Sequence, residues 1–164
     1  MSRDPMKMMI AAFLAVVASL FLASYASALS SSEAGSVVEV LERLVEEHGE
    51  PVYYDEEAAD EWFELDTEAL IPAAGFSRES WRKAYGNSLK GLMASVPEAE
   101  FEAVFAGLED NVTSIQGLTA EQKREAVSDL RAHVDRARAL RAEGASHVDA
   151  LAPYAERLRA LTDF

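Results

Sequence analysis

Apolar residues recur along most of this chain at spacings of three and four, and the runs begin and end on helix signals. Val37, Leu41, Leu44, Val45 and His48 share one face behind Ser36-x-x-Glu39, and Gly49 ends the run. That opening is a capping box, in which two side chains satisfy each other's orphan backbone donors. Pro51-Val52-Tyr53-Tyr54 reads as extended chain, and Asp55 as the cap of a short helix carrying Trp62 and Phe63. Between Asp66 and Gly75 the pattern is irregular and Pro72 breaks it.

The second half is more regular. Ser77 opens a helix with Trp81, Tyr85, Leu89, Leu92 and Met93 on one stripe, weakened at Gly86 and Gly91. Ser95-Val96-Pro97-Glu98 opens the next, whose Phe101, Val104, Phe105, Leu108, Val112 and Ile115 form the clearest amphipathic pattern in the chain. Gly117 ends it. Thr119-x-x-Gln122 then opens a longer helix with Val127, Leu130, Val134 and Ala137 inward, closed by Gly144. Ser146-x-x-Asp149 starts a last segment carrying Val148, Leu151, Tyr154, Leu158 and Leu161, with Pro153 as a kink or its true start. Nothing alternates as a strand would. The expectation is all-α: a single small bundle of about five helices, with its main part over residues 77–162.

The start of the chain is different in kind. No charged residue stands between Lys7 and Glu33, Met8 to Ala23 is almost wholly apolar, and Ala26-Ser27-Ala28 follows. A basic start, an apolar stretch and a small-residue A-x-A site predict a secretory signal peptide over residues 1–28, cleaved after Ala28. The domain is then residues 29–164, exported to the periplasm or beyond, with no membrane span after cleavage. The alternative is an N-terminal anchor, because the 21 residues from Met8 to Ala28 match the roughly 20 that span a bilayer.

Charge sharpens the picture. The formal net charge is -14. Residues 33–68 hold 14 acidic side chains against Arg43 alone, whereas residues 118–164 hold 8 of each sign. Such a field repels phosphate backbones, so nucleic acid is a poor partner, and a basic or partly unfolded protein a good one. With no cysteine there is neither a disulfide framework nor thiolate chemistry.

Two candidate sites fall within the acidic segment. On a helix Glu57, Asp60, Glu61 and Glu64 share a face suited to a divalent, calcium-type cation, although no EF-hand spacing is present and nothing requires a cofactor. Asp55, Glu56, Trp62 and Phe63 set aromatic rings in an acidic frame, which suits a cationic group on a partner. His133 and His147 are a third candidate pair if they meet across a turn at Gly144. No nucleophile elbow, phosphate loop or dinucleotide fingerprint occurs, so no catalytic residue is assigned.

Leu118-Thr119-Ala120-Glu121-Gln122 resembles the L-T-x-x-Q motif of small helical periplasmic chaperones and envelope-stress sensors. That family carries two such motifs and this chain one. The resemblance implies a helical, non-enzymatic protein that binds unfolded clients. Taken with the charge asymmetry, the leading expectation is an exported interaction or chaperone-like module that engages a partner through its acidic N-terminal half. A divalent-cation binder or sensor of the envelope is the alternative.

Overall fold

The computed structural model describes residues 28–55 and 57–162, so the predicted leader lies, but for Ala28, outside the described residues. The first helix, α1 (Ser31–His48), starts earlier than its pattern suggests. Ser30 is the cap: its hydroxyl accepts from the Glu33 N–H while the Glu33 carboxylate takes the Ser30 N–H at 2.9 Å. Ser30-x-x-Glu33 is the same motif as Ser36-x-x-Glu39, six residues upstream of its predicted place, and the inner copy is simply helix. Gly49 ends α1 in the left-handed conformation (φ 73°), which glycine adopts without steric cost.

Short α2 (Ala58–Leu65) and α3 (Leu70–Ala73) follow, joined where the Asp66 carboxylate accepts from the Leu70 and Ile71 N–H groups at 2.8 and 2.7 Å. Then comes α4 (Arg78–Ser95), capped by Ser77 as predicted. It is the central helix, packed against α1, α2 and the C-terminal helices. Its Trp81, Tyr85, Leu89 and Leu92 are buried together with Leu41 and Leu44 of α1, Trp62 of α2, Ile71 of α3, and Leu151 and Leu158 near the C-terminus. The polar tips of these large rings are satisfied. Trp81 Nε1 donates to the Ala59 carbonyl at 2.9 Å and the Tyr85 hydroxyl to the Tyr53 carbonyl at 2.6 Å, as burial of such groups requires.

From Ala120 onward the backbone keeps a right-handed helical course almost to the end. It passes through α7 (Ala120–Gly144), a 3₁₀ turn (Ala145–His147), α8 (Val148–Leu151), a second 3₁₀ turn (Ala152–Tyr154) holding Pro153, and α9 (Ala155–Ala160). Gly144 therefore does not stop a helix. It is helical itself (φ −68°), and a Cβ there would land on the Lys90 carbonyl of α4. The glycine exists so that two helix backbones can touch. Around this crossing Lys90 pairs with Glu143 at 2.6 Å, and Arg141 Nη1 donates to the carbonyls of Met93, Ala94 and Val96. Arg141 thus satisfies the orphan acceptors at the end of α4 while its guanidinium covers the Phe101 ring at 5.1 Å.

The predicted helix over Pro97 to Ile115 is two pieces, α5 (Glu98–Phe105) and α6 (Leu108–Ser114), broken where Gly107 turns left-handed (φ 78°). With the first part of α7 they form an arm outside the core. Between residues 98 and 143 only Phe101 is buried, and Val104 and Ile115 are 67% and 47% exposed. The apolar stripe is real, but with no third layer over it the stripe is only half covered. Bidentate ion pairs, Arg138 to Glu102 and Arg131 to Glu109, close the arm from outside.

The all-α class holds: six helices of seven residues or more are present among the described residues, and none is long and apolar enough to cross a membrane. The core, however, draws on α1 to α4 and the chain after Gly144 rather than on residues 77–162 as a block. Two substitutions on one helix pair separate close approach from propensity. Gly144→Ala is expected to lose about 3 kcal/mol in urea unfolding, because backbone cannot yield as a side chain does. Gly86→Ala in α4, with nothing within 4 Å of the added methyl, is expected to gain about 0.5–1 kcal/mol from propensity alone.

Candidate functional site

Pro51 to Asp55 is extended because it is pinned at both ends of its path. The Val52 N–H donates to the Leu161 carbonyl at 2.8 Å, Val52 bridges to Thr162, and the Tyr53 carbonyl receives the Tyr85 hydroxyl. Asp55 Oδ1 then accepts from the Glu57 N–H at 2.9 Å, which turns the chain into α2. Held this way, the segment forms one wall of an open groove of about 870 Å³, and α7 forms the other. Tyr53, Tyr54, Asp55 and Glu57 line the first wall; His133, Arg136 and Leu140 line the second, with Met93 of α4 between.

The carboxylates of the acidic segment divide into two sets. Asp60 is taken by Arg82 in a bidentate pair, Nη2 to Oδ1 at 2.9 Å and Nε to Oδ2 at 3.1 Å, and also by Arg78, which pairs in addition with Glu64. The Arg82 guanidinium, helped by Arg78, holds the Asp60 carboxyl below its ordinary value. The same Arg78 lies over the Phe63 ring at 4.4 Å. The second set surrounds Tyr53. Its hydroxyl donates to Glu61, and with burial and the charges of Glu61, Asp55 and Glu50 this pushes the phenol up to about 12. A neighbourhood that resists a new negative charge so strongly welcomes a positive one.

The predicted residues therefore part company. Glu57 and Asp55 lie in the groove, Glu61 beside it, and Asp60 and Glu64 are occupied by arginines from α4. Trp62 faces the core at 2% exposure, Phe63 is half-buried under Arg78, and Glu56 lies outside the described residues. Among the described residues no group of three or more His, Asp or Glu side chains is arranged to hold a metal ion. Sequence spacing finds the acidic residues but not the arginines that neutralise some of them, because Arg78 and Arg82 stand on another helix.

His133 and His147 do not meet. Without a turn at Gly144 the helical rise of 1.5 Å per residue sets them roughly 20 Å apart. His133 is exposed, its Nδ1 against the Asp129 carbonyl at 2.7 Å. His147 is buried at the helix crossing, and its Nδ1 accepts the Leu29 N–H at 3.3 Å. The L-T-x-x-Q residues are likewise used locally. The Thr119 hydroxyl accepts from the Gln122 N–H and the Gln122 carboxamide from the Thr119 N–H, a complete capping box for α7.

No protein-family model matches the chain, and no curated protein or solved structure matches it either. The groove and the His147 contact are the features with chemistry to offer. Burial, then the charges of Lys90 and Lys83, lower the proton affinity of His147. Below about pH 6.5 the unfolded chain binds a proton that the folded chain refuses. Stability is then expected to be level above that pH and to fall as pH drops toward the folded value. Urea midpoints measured from pH 8 to 5 should show the decline in the parent protein and its loss in His147→Gln.

Proposed function

We propose that this protein is an exported binding module that receives a basic segment of a protein partner in the groove between Pro51–Glu57 and α7. The observation that carries the reading is the placement of Tyr53 and Tyr54 among Glu50, Asp55, Glu57 and Glu61, while the arginines of α4 are spent on Asp60 and Glu64. A lysine or arginine entering this wall meets ring faces and carboxylates together, the combination that binds cationic side chains best. Leu140, Ala137 and Met93 give the neighbouring residues of such a segment an apolar surface. The leader-like start of the chain supports export.

Recognition of this kind is charge-steered, and salt weakens it. A fluorescent peptide alternating arginine and leucine is a suitable probe, with its glutamate-for-arginine counterpart as control. The parent protein is expected to bind the basic peptide alone, and about tenfold more weakly in 0.5 M than in 0.05 M salt. Combining Tyr53→Ala with Asp55→Asn and Glu57→Gln should abolish binding, and Asp60→Asn, outside the groove, should leave it within twofold. Equal binding by the groove variant, or an effect confined to Asp60→Asn, would refute the assignment.

A further inference from the structure

Leu29 is buried, and Ala28 before it is exposed. One residue later Ser30 is locked by its exchange with Glu33: its N–H and hydroxyl both reach Glu33 Oε2, at 2.9 and 2.6 Å, and its hydroxyl accepts from the Glu33 N–H. The Leu29 side chain belongs to the main apolar cluster. The position of the Leu29 nitrogen is thus fixed from its C-terminal side, by contacts that do not involve residue 28. That nitrogen points at His147 Nδ1.

We propose that His147 Nδ1 is the seat of the mature chain's α-amino group: once the leader is cut after Ala28, the same Leu29 nitrogen remains on the imidazole as a free amine. The inference rests on the exported reading above and goes beyond it by assigning a site. Among the described residues cleavage removes only the exposed Ala28, and the Ser30–Glu33 cap of α1 keeps both its partners. The acceptor is suited to the task because a neutral imidazole offers one lone pair, and burial with Lys90 and Lys83 nearby keeps His147 neutral. The charged groups facing the seat are Lys83 and Lys90 of α4, the latter paired with Glu143 at the end of α7, and Glu33 of α1. Of these the Glu33 carboxylate is engaged by Ser30, and Lys90 by Glu143.

Two consequences follow from geometry. A peptidase that needs extended chain on both sides of the scissile bond can act only before folding, because Leu29 is then not yet buried. And a cationic amine beside the ring opposes protonation of His147 further, which an amide N–H does not.

The comparison that tests the seat uses two chains with the whole described core: Leu29–Phe164, and the same chain keeping Ala28. In the second the Leu29 nitrogen stays an amide and the free amine stands one residue out, in solvent. The amine of Leu29 is expected to be acylated at least tenfold more slowly at pH 7.5 than that of Ala28, read by peptide mass spectrometry. The His147 ring, followed by NMR, should titrate at lower pH in the Leu29 chain. Equal acylation rates together with identical His147 titrations would overturn the seat. The processing reading is judged separately by the intact mass of the protein recovered from its envelope. A start other than Leu29 would overturn natural occupancy even where both chains behave as described.

Discussion

Backbone meets backbone where Gly144 lies against the Lys90 carbonyl, and much of the molecule is arranged by that contact. Helices bearing ordinary side chains at a crossing stand 8–10 Å apart; here glycine removes the spacer on one side, and Gly91, whose added Cβ would lie 3.1 Å from that of His147, thins the other. The crossing is then fastened by groups that only this approach brings within reach: Lys90 to Glu143, and Arg141 to three carbonyls at the end of α4. Beyond it the chain is delivered onto α1. There Gly35 admits the Tyr154 ring so closely that a Cβ would sit 2.8 Å from it. Both the burial of His147 and its meeting with Leu29 descend from the same approach.

On the other side of the crossing, α7 has nowhere to go but outward. Its 25 residues extend about 38 Å at the rise of an α-helix, far more than the core can cover. What accompanies the projecting part is only α5 and α6, and the arm is correspondingly thin. The inner end of α7 faces the Pro51–Glu57 segment across open space, and this is the groove. It is a by-product of a helix too long for its core meeting a strap that Tyr85 and Leu161 hold straight.

Helix periodicity and caps made much of this legible in the sequence: the Ser77 and Thr119 caps, the Trp81–Leu92 stripe, the αL stop at Gly49 and the extended Pro51–Tyr54 stretch stand where the pattern puts them. What was not legible is non-local. Glycine after a long periodic run reads as a stop, because stops are what isolated helices use glycine for; that Gly144 faces another backbone is a fact about Lys90, 54 positions away. The same blindness set Trp62 and Phe63 with the acidic side chains as one surface, although Trp62 is core and Phe63 lies beneath Arg78. An amphipathic stripe likewise states that one face is apolar and not how many neighbours will cover it. Val104 and Ile115 are the cost of reading the stripe as core.

The division of labour between the two halves of the acidic segment bears on which face of the protein is available to a partner. Ion pairs on an open surface add little stability, so the Arg78 and Arg82 pairs matter less for what they hold together than for what they cancel. They neutralise Asp60 and Glu64 and leave Glu61, with Asp55 and Glu50, acting on Tyr53. The arm adds a second condition. Its apolar side chains are half covered and few of its backbone hydrogen bonds lie beneath a third layer, the features that place a region at the low-stability end of a fold. The α7 wall of the groove, from Ala132 to Leu140, leads into the crossing at Arg141 and Gly144, whereas the part of α7 before it packs on α6 outside the core. The groove thus sets the carboxylates of Asp55 and Glu57 across from Arg136 and His133, at the root of an arm whose apolar side chains are half covered.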